Sequence, residues 1–140
     1  MTKPQSIRMV VINPETKTVS EVFIENNKTL QTWYSTIGNN CILVATAVTI
    51  SDVVRNTDNS LLMDDEILLR FDDIKGAWKL PNGQVFFNTG IFVGCDEEGE
   101  NCDTTISTDR LQEHITWLDR EQALVEAERI MLEPITVISF

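Results

Sequence analysis

Hydrophobic positions in the N-terminal part of the chain first follow a strand pattern and then a helical spacing. Residues 8–12 are an apolar, β-branched run and residues 18–24 alternate in part, so each predicts a strand. Residues 13–17, which contain Asn13 and Pro14, predict the turn of a hairpin. A short helix follows, with residues 26–27 as its N-cap and Gly38 after its last turn. Its apolar face consists of Leu30, Trp33, Tyr34 and Ile37.

The middle of the chain has short apolar runs separated by turn residues. Residues 52–60 predict a polar loop, residues 64–66 an acidic turn, and residues 96–99 a turn whose Gly99 can adopt a positive φ. Pro81-Asn82-Gly83 contains an Asn-Gly pair, the strongest short-range hairpin signal. The predicted strands are residues 41–51, 61–63, 67–69, 77–80, 84–87 and 90–94.

The C-terminal part predicts two helices. Ser107 or Thr108 caps the first, which extends to about residue 115, and Asp119 with Gln122 forms a capping box for a second over residues 120–132. Pro134 ends the second helix, and residues 135–140 alternate like a strand. The chain is therefore predicted to be one α+β domain, residues 1–140: a mostly antiparallel sheet with one short helix after the first hairpin and two C-terminal helices packed on it. We expect one core cluster, containing Trp33, Trp78, Phe92, Val11 and Leu30.

Length and hydropathy favour an ordinary globular protein. A chain of 140 residues fits one domain. The first six residues lack the apolar stretch of a signal peptide, and no apolar run approaches the roughly 18 residues of a membrane span. These features predict a cytoplasmic protein that does not bind a membrane.

Charge is concentrated towards the C-terminus. The net charge is −11, and residues 96–140 hold three basic against twelve acidic residues, a net of −9. Such acidity argues against direct nucleic-acid binding, which needs a basic surface, and favours docking to a partner protein with a basic surface. The candidate partner-binding residues are Asp96, Glu97, Glu98, Glu100, Glu121 and Glu128.

Few residues suggest other chemistry. His114, the single histidine, is expected to be structural. The segment 95–100 resembles a calcium loop, but Thr105 stands where that loop needs Glu, so a solvated turn is favoured. The carboxylates at 64–66 and 72–73 fit turns better than a metal or acid–base pair. We find no catalytic motif, and expect no catalytic residue, metal or cofactor.

Two further alternatives concern cysteines and phosphate. The three cysteines form no CxxC pair, so free thiols are favoured over a bridge between Cys95 and Cys102. Glycines recurring over residues 76–99 predict hairpin turns, and a nucleotide pocket lined by such turns is the alternative. Its nearby cations would be Arg70, Lys75 and Lys79.

Several segments together resemble a small domain-of-unknown-function family found in bacteriophages, prophages and plasmids. They are residues 10–14, 22–25 and 28–31, the acidic stretch 64–69, and the strand and turn 90–100, so the resemblance covers about residues 8–100. The chain departs from the family at Gly38, where a double glycine is usual, and at Ile67, where a glycine is expected. The resemblance implies a mobile-element setting and carries over no catalytic residue.

Two functions follow as hypotheses. The leading one is a non-enzymatic accessory protein of a phage or mobile element that binds a host macromolecule, for example as an acidic inhibitor of a nucleic-acid-binding or defence protein. The alternative is a small-molecule binder that sequesters a nucleotide signal. A continuous acidic face would favour the first, and a concave pocket with converging polar groups would favour the second.

Overall fold

A computed structural model of the chain describes residues 6–38, 41 and 44–132. Nine strands and three α-helices lie within that part of the chain. The strands are β1 (Ser6–Asn13), β2 (Thr18–Glu25), β3 (Val44–Asp52), β4 (Thr57–Asp64), β5 (Ala77–Lys79), β6 (Val85–Phe87), β7 (Gly90–Cys95), β8 (Asn101–Cys102) and β9 (Thr116–Leu118). The helices are α1 (Thr29–Ile37), α2 (Thr108–His114) and α3 (Arg120–Leu132). The predicted α+β class is confirmed.

The strands form two antiparallel sheets. The larger, sheet A, has the order β2-β1-β7-β4-β3, and β8 extends it by pairing with the end of β7. Its centre is β7, which pairs with β1 through Val10↔Phe92 and with β4 through Leu61↔Phe92. The smaller, sheet B, has the order β6-β5-β9, and Trp78 on β5 faces Phe86 on one side and Trp117 on the other.

The core is divided by sheet A, which corrects the expectation of a single cluster. Met9 and Val11 point to one face of β1, where Trp33 of α1 packs. Val10 points to the other face and lies in a second cluster with Trp78 and Phe92. This division follows from the two-residue period of a strand, which places neighbouring side chains on opposite faces.

Leu30 was also expected in the core, but 59% of its surface is exposed. The helix presents only part of its apolar stripe to sheet A: Ile37 is 2% exposed and Trp33 is partly buried. Burial of Leu30 therefore does not follow from its helical spacing alone.

A third cluster joins sheet B to α3. Ala123 and Ala127, four residues apart on one side of α3, are fully buried against Ala77, Phe87 and Ile74. Small side chains at these two positions let the helix approach the sheet closely. The layers of the molecule are therefore α1, sheet A, sheet B and α3, while α2 packs beside β2.

Helix ends agree in part with the sequence patterns. Ser107 Oγ accepts a hydrogen bond from the Arg110 backbone N–H, and Asp119 and Gln122 exchange hydrogen bonds of 2.8 and 3.0 Å in the expected capping box. The N-cap expected at residues 26–27 is wrong, because Asn26–Lys28 is a 3-10 turn and α1 starts at Thr29. Gly38 ends α1 with φ +58°.

Two strand assignments also need correction. Residues 57–60 belong to β4 rather than to a loop, because the inward-facing Thr57 and Asn59 are buried with their polar atoms hydrogen-bonded. Ile67–Leu69 forms a 3-10 turn instead of a strand. Cys41 lies before β3 and is only partly buried, and the strand predicted at 135–140 lies outside the described residues.

Candidate functional site

The acidic turn at residues 96–100 connects β7 to β8. One carboxylate oxygen of Asp96 accepts hydrogen bonds of 2.9 Å from the backbone N–H groups of Glu98 and Glu100, and Gly99 closes the turn with φ +81°. Asp96 therefore stabilises the turn, as short acidic side chains commonly do. Glu97, Glu98 and Glu100 are exposed to solvent at its tip.

The other predicted acidic residues lie on the outer side of α3. Glu121 and Glu128 are both exposed, and the described residues provide neither with an ion pair. Between and beyond them lie Val125, 66% exposed, and Leu132, 72% exposed. The spacing i, i+4, i+7, i+11 aligns these four residues along one side of a helix. We call this set, Glu121, Val125, Glu128 and Leu132, the α3 stripe.

The turn and the α3 stripe belong to different layers. Next to the turn, Asn101 on β8 donates to the hydroxyl of Thr29 at the start of α1, while α3 packs on β5 and β9 of sheet B. The six predicted binding residues thus form two patches. The charge pattern identified both, but only the structure separates them and adds the apolar residues of the stripe.

Two of the carboxylates at 64–66 and 72–73, those of Asp64 and Asp73, contact Arg70. Asp64 is 2% exposed and is hydrogen-bonded to the Arg70 guanidinium, whose other nitrogen lies 3.5 Å from Asp73. The hydrogen bond that Arg70 donates to Asp64, which outweighs the opposing effect of burial, raises the pKa of Arg70 above its usual value. This arrangement accounts for Asp64, Arg70 and Asp73 as a structural network.

The phosphate site considered for Arg70, Lys75 and Lys79 is not assembled. Arg70 is held by the two carboxylates and lines a shallow cavity with residues 69, 71, 72 and 73, which neither lysine lines. Lys75 precedes β5 and Lys79 ends it.

A different set of cations lines a groove along residues 103–107. The groove consists of two adjoining wells, of about 540 and 690 Å³, which share Thr105, Ile106 and Ser107 as a wall. The first, the apolar well, is also lined by Ile50, Ser51, Asp52, Val53, Asn59, Pro81, Arg110, Leu111 and His114. The second, the arginine well, is also lined by Arg8, Arg55, Thr57, Cys102, Asp103 and Thr104.

The shared wall is fixed from below by Asn59, which is 1% exposed. Its side-chain oxygen accepts hydrogen bonds from the Thr104 hydroxyl and the Thr105 N–H, at 2.7 and 2.9 Å. Its amide nitrogen donates to the Thr105 hydroxyl at 2.8 Å. Arg8 adds hydrogen bonds to the same segment from its backbone and its guanidinium. The sequence pattern gave no signal for this groove, because its residues come from four separate segments.

His114 lines the apolar well. Its Nδ1 lies 2.7 Å from the Arg110 carbonyl oxygen, which can only accept, so Nδ1 carries a proton and Nε2 is an acceptor in the neutral ring. Within the residues that the structure describes, no hydrogen bond links His114 to Ser107 in the same well.

Cys95 and Cys102 are free thiols and form no bridge with each other, as favoured from the sequence. Cys95 faces Asn101 and Cys102 faces Gly94, so the two cysteines are not directly opposite in the hairpin. Burial raises the pKa of the Cys102 thiol, with a hydrogen bond to Thr57 acting in the opposite direction.

Metal sites, membrane spans and similarity to known proteins do not assign a role to the groove or to the α3 stripe. Among residues 6–38, 41 and 44–132, no group of three His, Cys, Asp or Glu side chains is arranged to hold a metal ion. No helix in those ranges is both long enough and apolar enough to cross a membrane. The chain matches no protein-family model, no curated protein and no solved structure.

Proposed function

We propose that this chain is a non-enzymatic binding protein that docks the α3 stripe onto a basic surface of a partner protein. The observation that carries the proposal is the alternation of unpaired carboxylates with exposed apolar side chains along one side of α3. In the mobile-element setting implied by the family resemblance, the partner is a host macromolecule, such as a nucleic-acid-binding or defence protein.

The two kinds of side chain have different roles in docking. Burying Val125 or Leu132 completely in an apolar contact contributes about 1.5–3 kcal/mol each. Glu121 and Glu128 provide charge complementarity, which acts mainly on the association rate and on the choice of partner. A partner for this stripe therefore has apolar pockets flanked by Lys or Arg.

The hairpin turn supports the same function at longer range. Glu97 and Glu98 are exposed and add negative charge on another layer of the molecule. Exposed charges of one sign raise the rate at which an oppositely charged partner is encountered. This steering weakens with salt, since the Debye length falls from about 10 Å at 0.1 M to about 3 Å at 1 M.

The test is a pull-down from a host lysate followed by surface plasmon resonance with the captured partner. The charge variant combines Glu121→Lys with Glu128→Lys, and the apolar variant combines Val125→Ser with Leu132→Ser. We expect the charge variant to lower the association rate at least tenfold at 0.05 M salt, and the apolar variant to raise the dissociation rate.

A matched control changes the same number of charges elsewhere. Glu15 in the β1–β2 turn and Glu113 on α2 are exposed and form no ion pair in the described part of the chain. Glu15→Lys with Glu113→Lys should leave binding within a factor of about two to three, because its charges lie off the stripe. Equal effects of this control and of the charge variant would show a general charge effect and contradict docking through α3.

A competition experiment examines the inhibitor version of the proposal. If the partner binds nucleic acid through the basic surface that receives α3, a duplex DNA fragment should displace the chain from it. Simultaneous binding of DNA and chain would place the contact elsewhere on the partner.

A further inference from the structure

We propose that the groove along residues 103–107 is a binding site for a nucleoside mono- or diphosphate. Its ring system would pack in the apolar well and its phosphates would lie against the shared wall and the arginine well. The site uses none of the α3 stripe residues, so it goes beyond the docking function.

The arginines of the described residues differ in whether their guanidinium groups are already engaged. Arg8, Arg70 and Arg129 are paired with carboxylates, and Arg120 donates to the Ile74 carbonyl oxygen. The guanidinium groups of Arg55 and Arg110 have no hydrogen bond or ion pair with any residue described. Both line this groove, one in each well. Arginine is well suited to phosphate because its planar fork can donate two parallel hydrogen bonds.

The local charge of the groove differs from that of the chain as a whole. The two wells are lined by three guanidinium groups, from Arg8, Arg55 and Arg110, against two carboxylates, from Asp52 and Asp103. Both carboxylates are already engaged by backbone N–H groups, those of Arg55 and Arg8 respectively. Since Arg8 is already paired with Glu21, the remaining guanidinium groups balance the two carboxylates, so the groove is close to neutral in a chain whose net charge is −11.

The shared wall of the groove is held in place by hydrogen bonds before a ligand binds. Asn59 forms three hydrogen bonds with the Thr104–Thr105 segment from a buried position, so the wall is fixed before a ligand arrives. A fixed wall reduces the entropy lost on binding. The hydroxyl of Ser107 accepts from the Arg110 backbone N–H and keeps its own proton for a hydrogen bond to a phosphate or sugar oxygen.

The apolar well presents exposed hydrophobic side chains that a ring system can cover. Ile50 and Val53 are exposed, at 42% and 82%, and line this well with Pro81, Ile106 and Leu111. An aromatic base packed there would cover these apolar side chains. The volume of each well falls within the roughly 300–1,000 Å³ that is usual for small-ligand sites.

The experiment is an NMR titration of the ¹⁵N-labelled chain with AMP, ADP, UDP and GDP at low salt. At least one nucleotide should shift the amide signals of Thr104, Thr105 and Arg110. Adenosine, uridine and pyrophosphate are titrated separately, and each should bind at least tenfold more weakly than the best nucleotide, because each lacks one half of the ligand.

The variant Arg55→Gln with Arg110→Gln should weaken nucleotide binding at least tenfold. Lys75→Gln with Lys79→Gln removes the same charge outside the groove and should bind normally. Thermal melts check that both variants fold. The proposal is overturned if no nucleotide shifts the groove signals at millimolar concentration, or if the arginine variant binds as well as the lysine control. If pyrophosphate bound as tightly as the best nucleotide, the proposal that the apolar well binds the base would be wrong.

The two proposals fail separately. Glu121→Lys with Glu128→Lys should not change nucleotide binding, and Arg55→Gln with Arg110→Gln should not abolish docking through α3. Loss of both activities in either variant would point to misfolding, which the thermal melts would reveal.

Discussion

Gly90 makes room for the indole of Trp78 where the two sheets meet: a Cβ atom at Gly90 would lie 2.8 Å from Cζ2 of Trp78. Gly90 begins β7 in sheet A, and Trp78 is the fully buried centre of β5 in sheet B. The indole N–H donates to the Asn88 carbonyl oxygen at 3.2 Å, and the ring packs on Phe86 with centroids 4.6 Å apart. Contact between the sheets therefore depends on this glycine.

Gly90→Ala should destabilise the chain by about 1–3 kcal/mol, the usual cost of overpacking a tight core. The same substitution in a Trp78→Phe background should cost less, because the smaller ring lacks the Cζ2 atom. Urea unfolding of the two single variants and the double variant measures the coupling. Strict additivity of the two effects would contradict the proposed contact.

Trp78→Ala should cost about 3–5 kcal/mol, because the side chain is 0% exposed and its removal leaves a cavity between the sheets. The free energy of unfolding in urea tests this value. A loss below about 1 kcal/mol would mean that the surrounding residues collapse into the space, which close packing of the interior disfavours.

Arg70→Met should destabilise by about 3 kcal/mol, because it leaves the buried carboxylate of Asp64 without its charged partner. This value is at the low end for a buried pair, since the side chain of Arg70 is 21% exposed. Asp64→Asn in the Arg70→Met background should restore part of the loss by removing the unpaired charge. Thermal and urea melts compare the three variants, and an unaltered midpoint for Arg70→Met would refute the structural role of the pair.

Asn59→Ala should cost about 1–3 kcal/mol, because it leaves the buried hydroxyl of Thr104 and the partly buried N–H of Thr105 without their partner. It should also loosen the wall of the groove. Hydrogen exchange at the Thr105 amide, which donates to Asn59 in the wild type, should become faster. Unchanged exchange at that amide would show that other contacts fix the segment.

Cys102 should react slowly with iodoacetamide in the folded chain. Burial disfavours its thiolate and raises the pKa, so less thiolate is present at pH 8 than in the unfolded chain. The folded-state pKa of Cys102 exceeds the unfolded one, so protonation of the thiol favours the folded chain. This contribution to the free energy of unfolding is complete below the unfolded pKa. It is lost as the pH rises through the folded pKa. Mass spectrometry of the alkylated peptides, with and without urea, should show a higher pH midpoint for the folded chain.

Local chemistry explains what the sequence predicted correctly. The Asp119–Gln122 capping box, the turn at Gly99 and the end of α1 at Gly38 each depend on residues within a few positions of one another. At a helix start, a tight turn or a helix end, the backbone itself favours a capping side chain or a residue with positive φ, whatever packs around that segment. The α+β class followed because apolar periodicity identified most of the larger elements.

Predictions failed where distant partners decide the conformation. The segment 57–60 looks like a loop because it is polar, yet Asn59 faces inward and bonds to residues more than forty positions away. Strand β9 has only three residues, too few for a periodic signal, and forms because Trp117 pairs with Trp78. Leu30 has the spacing of a core residue and remains exposed because α1 does not turn it towards sheet A.

In the candidate sites, too, some features follow from the sequence alone and others from the tertiary structure. The sequence by itself determined the acidity of residues 96–140 and the acidic positions along α3, since helical spacing follows from residue number. Only the tertiary structure decided that the acidic turn and α3 lie on different layers, that Arg70 is held between carboxylates, and that Arg55 and Arg110 line one groove. Those relationships join residues far apart in the chain, and they arise from sheet register and layer packing, which no local pattern encodes.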